Sequence, residues 1–349
     1  MIRVLVVDDS AVMRAFLGRV IGAQPDMQLL GASPDPLLAI DRIRRSAPDV
    51  ITLDVEMPRM NGLDFLRNLM AVRPLPVIMI SSLTRQGAET TMRALELGAV
   101  DFFPKPGSLA ELEGSVQEIA EKIRAAAGAR VARRRVPLAT TGAAPLKSML
   151  PPLPSSATAT VQRVIGIGAS TGGVEALREV LTSLPEQMPP ILIAQHMPPG
   201  FTETFARRLD TLCRIHVKQA EDGEPVRAGV AYVAPGGRHL VLARRGTGYQ
   251  LRVTEDPPVN RHRPSVDTLF RSIARAAGHH AIGVMLTGMG GDGAEAMLEM
   301  SQHGAYTIAQ DEASCVVFGM PRQAIAAGGV REIASLGEIA GRLEALAGP

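Results

Sequence analysis

The sequence predicts an α/β protein with two doubly wound parallel sheets, one in each half of the chain. Both halves contain short apolar runs typical of buried strands, such as Ile2–Val7 and Val164–Ala169. Helical patterns separate successive runs, which indicates repeated βα units. Polar residues follow directly after several runs, where parallel sheets collect their functional groups. A length of 349 residues fits about two domains.

We place the two domains at residues 1–125 and 161–349, with a linker at 126–160. The linker contains five Lys/Arg residues, no Asp/Glu and several prolines, and it lacks apolar periodicity. A basic run such as Arg133-Arg134-Arg135 can indicate nucleic-acid binding. Because the first half has 14 basic and 16 acidic residues and the second 18 and 19, neither extends a basic surface. We therefore favour a solvated tether.

Composition excludes several classes of protein. Apolar runs such as Val77–Ile80 are far shorter than the ~20 residues of a membrane-spanning helix, and the N-terminus does not resemble a secretory signal. Two cysteines, Cys213 and Cys315, make neither a disulfide framework nor a zinc site. Trp is absent and aromatic residues are 3%, which disfavours a base-stacking surface. We expect a cytoplasmic protein with no nucleic-acid partner and no direct membrane insertion.

The first half carries polar residues at the ends of its predicted strands. These strands are Ile2–Val7, Val50–Leu53, Val77–Ile80 and Ala99–Phe103, and Ser10 is expected to cap a helix over Ala11–Ala23. Asp8, Asp9 and Asp54 are three carboxylates that repel one another unless a cation lies among them, and Mg²⁺ suits such oxygen ligands. With Ser81 and Lys105, they supply the parts that hold a transferred phosphoryl group.

This half resembles the receiver domain of two-component response regulators, which has a flavodoxin-like fold. The motifs that carry the resemblance are Asp8-Asp9, Asp54-x-x-Met57-Pro58 with Gly62, Ser81, and Lys105-Pro106. The resemblance implies that Asp54 is the phosphoacceptor and that Mg²⁺ is held by Asp8, Asp9, Asp54 and the backbone carbonyl of Glu56. It further implies that Ser81 is the switch hydroxyl and that Lys105 contacts the phosphate.

The second half opens on a strand, a tight turn and a helix predicted at Val174–Leu184. Between strand and helix, Gly168-Ala169-Ser170-Thr171-Gly172 matches the G-x-S-x-G pattern that exposes a nucleophilic serine. The helix N-terminus behind it favours developing negative charge. A nucleotide-binding turn is the alternative, because Gly166-x-Gly168-x-x-x-Gly172 is also glycine-rich, and either pattern alone is weak.

Two further strand ends offer a base and an acid. The run Ile191–Ala194 leads to His196, which suits a general base, whereas a dinucleotide site needs an acid there. The run Ala281–Leu286 leads into a glycine-rich loop with Asp292, whose alternative role is to cap the helix Ala294–Gln302. We favour a Ser170, His196, Asp292 triad. The other histidines are expected to be structural or surface residues: His216, His239, His262, His279, His280 and His303.

The order Ser, His, Asp is not that of α/β-hydrolases, and the motifs resemble those of the chemotaxis protein-glutamate methylesterase (CheB) family. They are Ser170-Thr171-Gly172-Gly173, Gln195-His196-Met197-Pro198, Tyr232–Gly237 with His239, Pro264-Ser265-Val266-Asp267, Met285–Gly293 and Val317-Phe318-Gly319-Met320-Pro321. The resemblance implies a Rossmann-like domain that hydrolyses glutamate methyl esters and deamidates glutamines on the cytoplasmic helices of chemoreceptors. This hydrolase chemistry needs no cofactor.

The same resemblance implies further roles and partners. The backbone N–H of Met289 is a candidate oxyanion donor, and Thr171 is a candidate neighbour in the site. A CheA-type histidine kinase would supply the phosphoryl group, and the unphosphorylated receiver would cover the catalytic site. Two other hypotheses are a receiver-controlled scaffold without catalysis and a DNA-binding response regulator. The Ser/His/Asp set disfavours the first, and the absence of a basic face or helix-turn-helix pattern disfavours the second.

Overall fold

The computed structural model describes residues 1–57, 60–82, 84–105, 109–131 and 163–347. Contacts divide the chain into two compact units, residues 1–138 and 139–349. Most of the expected linker, including Arg133-Arg134-Arg135, lies outside the described residues, as do Pro58 and Pro106 of the receiver motifs. Among the described helices, none has both the length and the apolar character needed to cross a membrane.

Within the described residues, the first unit contains a parallel five-stranded sheet in the order β2-β1-β3-β4-β5. This order is that of flavodoxin-like folds, so the predicted fold class is confirmed. The strands are β1 (Ile2–Val7), β2 (Met27–Ser33), β3 (Val50–Asp54), β4 (Val77–Ser81) and β5 (Asp101–Pro104). The helices are α1 (Ala11–Gly22), α2 (Pro36–Ser46), α3 (Gly62–Val72), α4 (Arg85–Glu96), α5 (Leu109–Gly114) and α6 (Val116–Ala127).

The sequence patterns account for most of these elements. Every residue of β3 is buried, as expected of a continuous apolar run between two neighbouring strands. Ser10 caps α1, its hydroxyl accepting a hydrogen bond from the Met13 N–H. The edge strand β2 was not predicted, because only its two end residues are buried and its sequence lacks an apolar run. The last strand begins at Asp101, two residues later than predicted.

The second unit contains a parallel seven-stranded sheet in its described part, in the order β14-β13-β12-β6-β7-β9-β8. An antiparallel hairpin, β10–β11, stands apart from it. The strands are β6 (Val164–Ala169), β7 (Ile191–Gln195), β8 (His216–Gln219), β9 (Val230–Val233), β10 (His239–Arg245), β11 (Gly248–Thr254), β12 (Ala281–Met285), β13 (Tyr306–Gln310) and β14 (Glu332–Ala334). The helices are α7 (Gly173–Ser183), α8 (Phe201–Asp210), α9 (Val266–Ala277), α10 (Ala294–Gln302), α11 (Met320–Ala326) and α12 (Leu336–Ala347).

The two glycines of β6 make room for helix α9. A Cβ at Gly168 would lie 2.3 Å from Val266 Cγ1, and one at Gly166 would lie 2.6 Å from Ile273 Cδ1. These glycines therefore have a packing role that needs no bound nucleotide. The order of strands reverses between β6 and β12, and such a switch point is where loops diverge and open a crevice. The serine loop and the Asp292 loop both leave the sheet there.

Candidate active site

Ser170 stands on the sharp turn between β6 and α7. Gly172 has φ +78°, in the left-handed region, and a Cβ there would lie 2.6 Å from the Val316 side chain, so the turn requires glycine. The Ser170 N–H donates to the Thr287 carbonyl at 3.0 Å, which fixes the turn against the loop after β12. Ser170 therefore lies on a turn between a strand and a helix, as predicted, and the structure places that turn at the switch point of the sheet.

The side chains of Ser170, His196 and Asp292 form a continuous hydrogen-bonded chain. His196 Nδ1 lies 3.2 Å from Ser170 Oγ, and His196 Nε2 lies 2.8 Å from Asp292 Oδ2. The His196 side chain is 8% exposed and that of Asp292 is 1% exposed. Because the carboxylate only accepts hydrogen bonds, we assign the imidazole proton to Nε2, which leaves Nδ1 as an acceptor for the serine hydroxyl.

Asp292 is held as an anion by a dense set of donors. Besides His196, the Val266 N–H donates to Oδ2 at 2.6 Å, while Ser265 Oγ and Asn260 Nδ2 each donate to Oδ1 at 2.8 Å. Burial alone would raise the pKa of Asp292, but these hydrogen bonds and the neighbouring imidazole hold that pKa well below its usual range. A carboxylate held in its charged form can orient a neighbouring imidazole and stabilise that imidazole when it takes up a proton.

The alternative role considered for Asp292, capping the helix Ala294–Gln302, is wrong. Gly293, not Asp292, is the N-cap residue of α10. Asp292 instead accepts hydrogen bonds from the first N–H groups of α9, at Val266 and Asp267. One carboxylate therefore bonds to the histidine and also to the N-terminus of helix α9, which packs against strand β6.

The glycine loop after β12 is fastened on one side to residues 317–320. Gly288 donates its N–H to the Val317 carbonyl at 3.1 Å, and its own carbonyl accepts from the Met320 N–H at 2.8 Å. Gly288 also packs on the serine, since a Cβ there would lie 2.8 Å from Ser170 Cβ. Among the described residues, no acceptor takes the N–H of Met289. The loop is thus anchored beside Ser170 with a donor available.

Three residues of the site were missed or misjudged in the sequence. Gln195 Nε2 donates to the backbone carbonyls of both Ser170 (3.0 Å) and His196 (3.2 Å). Asn260 bridges two buried carboxylates. His262 was expected to be structural or on the surface, yet its ring stacks on His196 with centroids 3.7 Å apart. Gln195 could have been found because it precedes His196 in the sequence. Asn260 and His262 lie in a loop between β11 and α9, where no periodic pattern marks them.

A second cluster, in the first unit, contains Asp8, Asp9 and Asp54, whose ligand atoms lie within 4.8 Å of one another. Lys105 Nζ is 2.7 Å from Asp54 Oδ2 and 3.7 Å from Asp8 Oδ2. Asp8 Oδ2 is buried and accepts no hydrogen bond from the described residues. Burial raises the pKa of Asp54 to about 6, with the negative charge of Asp8 adding to it and Lys105 opposing it. Such under-compensated carboxylates fit a divalent cation.

Ser81 and Glu56 flank this cluster. The Ser81 hydroxyl accepts from Thr91 Oγ1 at 2.7 Å and donates to the Gly87 carbonyl at 3.2 Å, so its two shortest hydrogen bonds go to α4. The Glu56 N–H donates to Asp54 Oδ1 at 3.2 Å. The structure therefore brings Asp8, Asp9, Asp54 and Lys105 together and joins Ser81 to the neighbouring helix.

Both halves of the chain are similar to known proteins. Residues 165–343 match the CheB methylesterase family model, and residues 4–117 match that of the response regulator receiver domain. The protein-glutamate methylesterase/protein-glutamine glutaminase of Pectobacterium atrosepticum is 58% identical over 346 residues, 98% of this chain and 96% of that protein. The Salmonella typhimurium protein of the same name is 57% identical over 341 residues, 97% and 95% of the two chains.

Among solved structures, the CheB methylesterase catalytic domain of Thermotoga maritima resembles the second unit. It is 38% identical, with a TM-score of 0.52, and the match covers 53% of this chain and 98% of that one.

Proposed function

The chain belongs to the family of CheB methylesterases with a response regulator receiver domain, and we propose that Ser170, His196 and Asp292 carry its hydrolase chemistry. It is a protein-glutamate methylesterase/protein-glutamine glutaminase that acts in chemotaxis signalling under control of phosphorylation. The observation that carries the assignment of the triad is the unbroken chain of hydrogen bonds from Ser170 Oγ through both nitrogens of His196 to Asp292.

The first half of the reaction acylates the serine. Ser170 Oγ attacks the side-chain carbonyl of a glutamyl methyl ester while its proton passes to His196 Nδ1. The new cation is stabilised by Asp292, and the oxyanion lies near the Met289 N–H and the backbone N–H of Thr171, the residue that follows the nucleophile. The carbon–oxygen bond to methanol then breaks, and the leaving oxygen takes the proton from Nδ1.

The second half returns the enzyme to its starting state. Water attacks the acyl carbon and gives a proton to His196 Nδ1, and the Ser170 ester bond breaks as Oγ recovers that proton. The products are a glutamate carboxyl group and free enzyme. With a glutamine substrate the same steps release ammonia in place of methanol. Every proton is carried by His196, so the triad requires no cofactor for these steps.

Phosphorylation belongs to the first unit. Asp54 is the nucleophile toward the phosphoryl group, and Lys105 lies beside it to hold the phosphate. Asp8, Asp9, Asp54 and the Glu56 carbonyl are the residues that would hold Mg²⁺. When bound, the cation neutralises the incoming phosphate and the carboxylates around it. A CheA-type histidine kinase is the proposed phosphodonor, methylated chemoreceptors are the substrate, and the cytoplasm is the proposed location.

We also propose the domain bounds 1–125 and 161–349 and a steric form of regulation. A tether of about 35 residues is long enough to let two domains dock or separate. If the unphosphorylated receiver restrains access to Ser170, fragment 161–349 should demethylate receptors at least as fast as the phosphorylated whole chain. Asp54→Asn should keep basal activity and lose stimulation by a phosphodonor. If fragment 161–349 demethylates receptors no faster than the unphosphorylated whole chain, the receiver more readily activates through a contact that the fragment lacks than by restraining access.

The test of the triad is methanol release from methylated receptor membranes. Ser170→Ala should abolish release because no other group supplies the nucleophile, and His196→Ala should cost nearly as much. The double variant should lose little more, because members of a triad act as a unit. Ser183→Ala, in the last turn of α7, is the matched control and should keep full activity. Wild-type release by Ser170→Ala would refute the assignment.

A further inference from the structure

His262 lies flat against the catalytic histidine. The two ring planes are inclined by only 10°, with centroids 3.7 Å apart. His262 is half-buried, whereas the His196 side chain beneath it is only 8% exposed. One face of the catalytic imidazole is therefore covered by a second imidazole and not by water.

The His262 ring is carried by a tight turn whose backbone is strained. Val259 and His262 exchange two backbone hydrogen bonds, of 2.9 and 3.1 Å, around Asn260 and Arg261. Both central residues have positive φ, +52° and +68°, as in the tight turns that usually require Asn or Gly. Asn tolerates this conformation, but Arg at such a position costs free energy. Strain of this kind persists only where the surrounding structure imposes it, and it clusters at functional sites.

The same turn also forms a hydrogen bond to Asp292, at the other end of the proposed triad. Asn260 Nδ2 donates to Asp292 Oδ1 at 2.8 Å and to Asp267 Oδ2 at 2.7 Å. Consecutive parts of one turn thus bond to the acid of the triad and stack on its base. Neither contact reaches Ser170, so this turn acts on the histidine–aspartate pair.

Resting on the function proposed above, we propose that His262 is a positioning residue that holds the His196 ring in the plane joining Ser170 Oγ to Asp292. The plane matters because Nδ1 and Nε2 serve opposite partners. A rotation of the ring about its Cβ–Cγ bond lengthens both hydrogen bonds at once. A stacked ring resists that rotation and accommodates the cation that His196 becomes in each transition state.

The proposal predicts that a flat ring is needed at position 262, whatever its charge. His262→Leu keeps apolar bulk without a flat ring, His262→Ala removes both, and His262→Phe restores the stack. A stacked aromatic pair is worth about 0.5–1.5 kcal/mol, which converts to a two- to twelvefold change in rate. We expect a loss of that size in kcat for Ala and Leu, with KM unchanged, and recovery to within about twofold for Phe.

The experiment uses the full chain and two readouts. The first is methanol release from methylated receptor membranes. The second is the rate at which a fluorophosphonate probe labels Ser170, a reaction that forms an Oγ–P bond, expels fluoride and passes the serine proton to His196. Labelling requires the serine and its base but no receptor. His303→Ala, an exposed histidine at the end of α10, is the control.

Each outcome decides the question. Slower labelling and lower kcat in Ala and Leu, with recovery in Phe, support the proposal. Wild-type rates in Ala overturn it, and so does a Phe variant as slow as Ala, because that result assigns the role to the imidazole nitrogens. A raised KM with unchanged kcat overturns it in favour of substrate contact. If wild-type protein is labelled but releases no methanol, the proposed function fails while the positioning role stands.

Discussion

Asp54 and Asp292 are both carboxylates at the carboxyl edge of a parallel sheet, and both side chains are 1% exposed. Their pKa values nevertheless move in opposite directions. Burial raises the pKa of Asp54 to about 6, whereas burial of Asp292 is outweighed by its hydrogen bonds and its pKa lies well below the usual range. Burial alone therefore does not decide the charge of a buried acid.

The number and type of partners explain the difference. Asp292 accepts hydrogen bonds from an imidazole, a hydroxyl, an amide and backbone N–H groups of α9. Asp54 has the Lys105 ammonium and the Glu56 N–H, and the Asp8 carboxylate opposes it. The second unit thus surrounds Asp292 with donors that keep it charged, which suits the proposed role of orienting His196 without reacting itself. The first unit gives Asp54 too few positive partners to offset its burial, which suits the proposed nucleophile, whose reaction needs a bound cation.

The largest effect should come from replacing Asp292, the carboxylate that its donors keep charged. Asp292→Asn keeps the shape but places an amide opposite His196, which favours the wrong tautomer of the imidazole. By analogy with serine hydrolases we expect kcat to fall about 10⁴-fold, measured as methanol release. Asp267→Asn is the matched control, because Asp267 is equally buried and shares Asn260 with Asp292. We expect less than a tenfold loss there; equal losses would show that the two carboxylates act as one.

A smaller effect, of opposite sign in the two units, is expected in the free energy of unfolding. At pH 7 Asp54→Asn should stabilise the first unit by about 3 kcal/mol, because the raised pKa means that the fold disfavours the charged form. Asp292→Asn should destabilise the second unit by about 3 kcal/mol, because its donors lose a charged acceptor. Hydrogen exchange of the β3 and β6 amides measures each unit separately. Effects of the same sign would contradict the comparison.

The smallest effect is the pH dependence of the receiver. The raised pKa means that folded Asp54 takes up its proton as the pH falls through about 6, while the unfolded chain does so near 4. Asp54 should therefore make the first unit more stable at pH 5 than at pH 7, before other carboxylates titrate. Added Mg²⁺ favours the charged carboxylate and should lower the midpoint, as followed by NMR of the Asp54 carboxyl carbon. An unchanged midpoint would argue against a metal site.

Much of both sites was predictable because parallel strands bring their carboxyl ends to one edge. Apolar runs located β1, β3, β4, β6, β7 and β12 within a residue or two. The polar residues after them were then bound to meet, and the structure joins Asp8, Asp9, Asp54 and Lys105, as well as Ser170, His196 and Asp292. Edge strands such as β2 and the hairpin β10–β11 were missed, since partly exposed strands lack the continuous apolar run.

The sequence alone therefore determined the fold class, the family resemblance and the residue types at the strand ends, because these depend on local pattern. Tertiary structure decided which nitrogen of His196 faces Ser170, that Asp292 accepts hydrogen bonds from the first N–H groups of α9, and that Ser81 bonds to α4. It also decided that Asn260 donates to Asp292 and that the His262 ring stacks on His196. Those contacts join residues far apart in the chain through single hydrogen bonds or one stacked pair, and such contacts leave no periodic signal for a sequence to show.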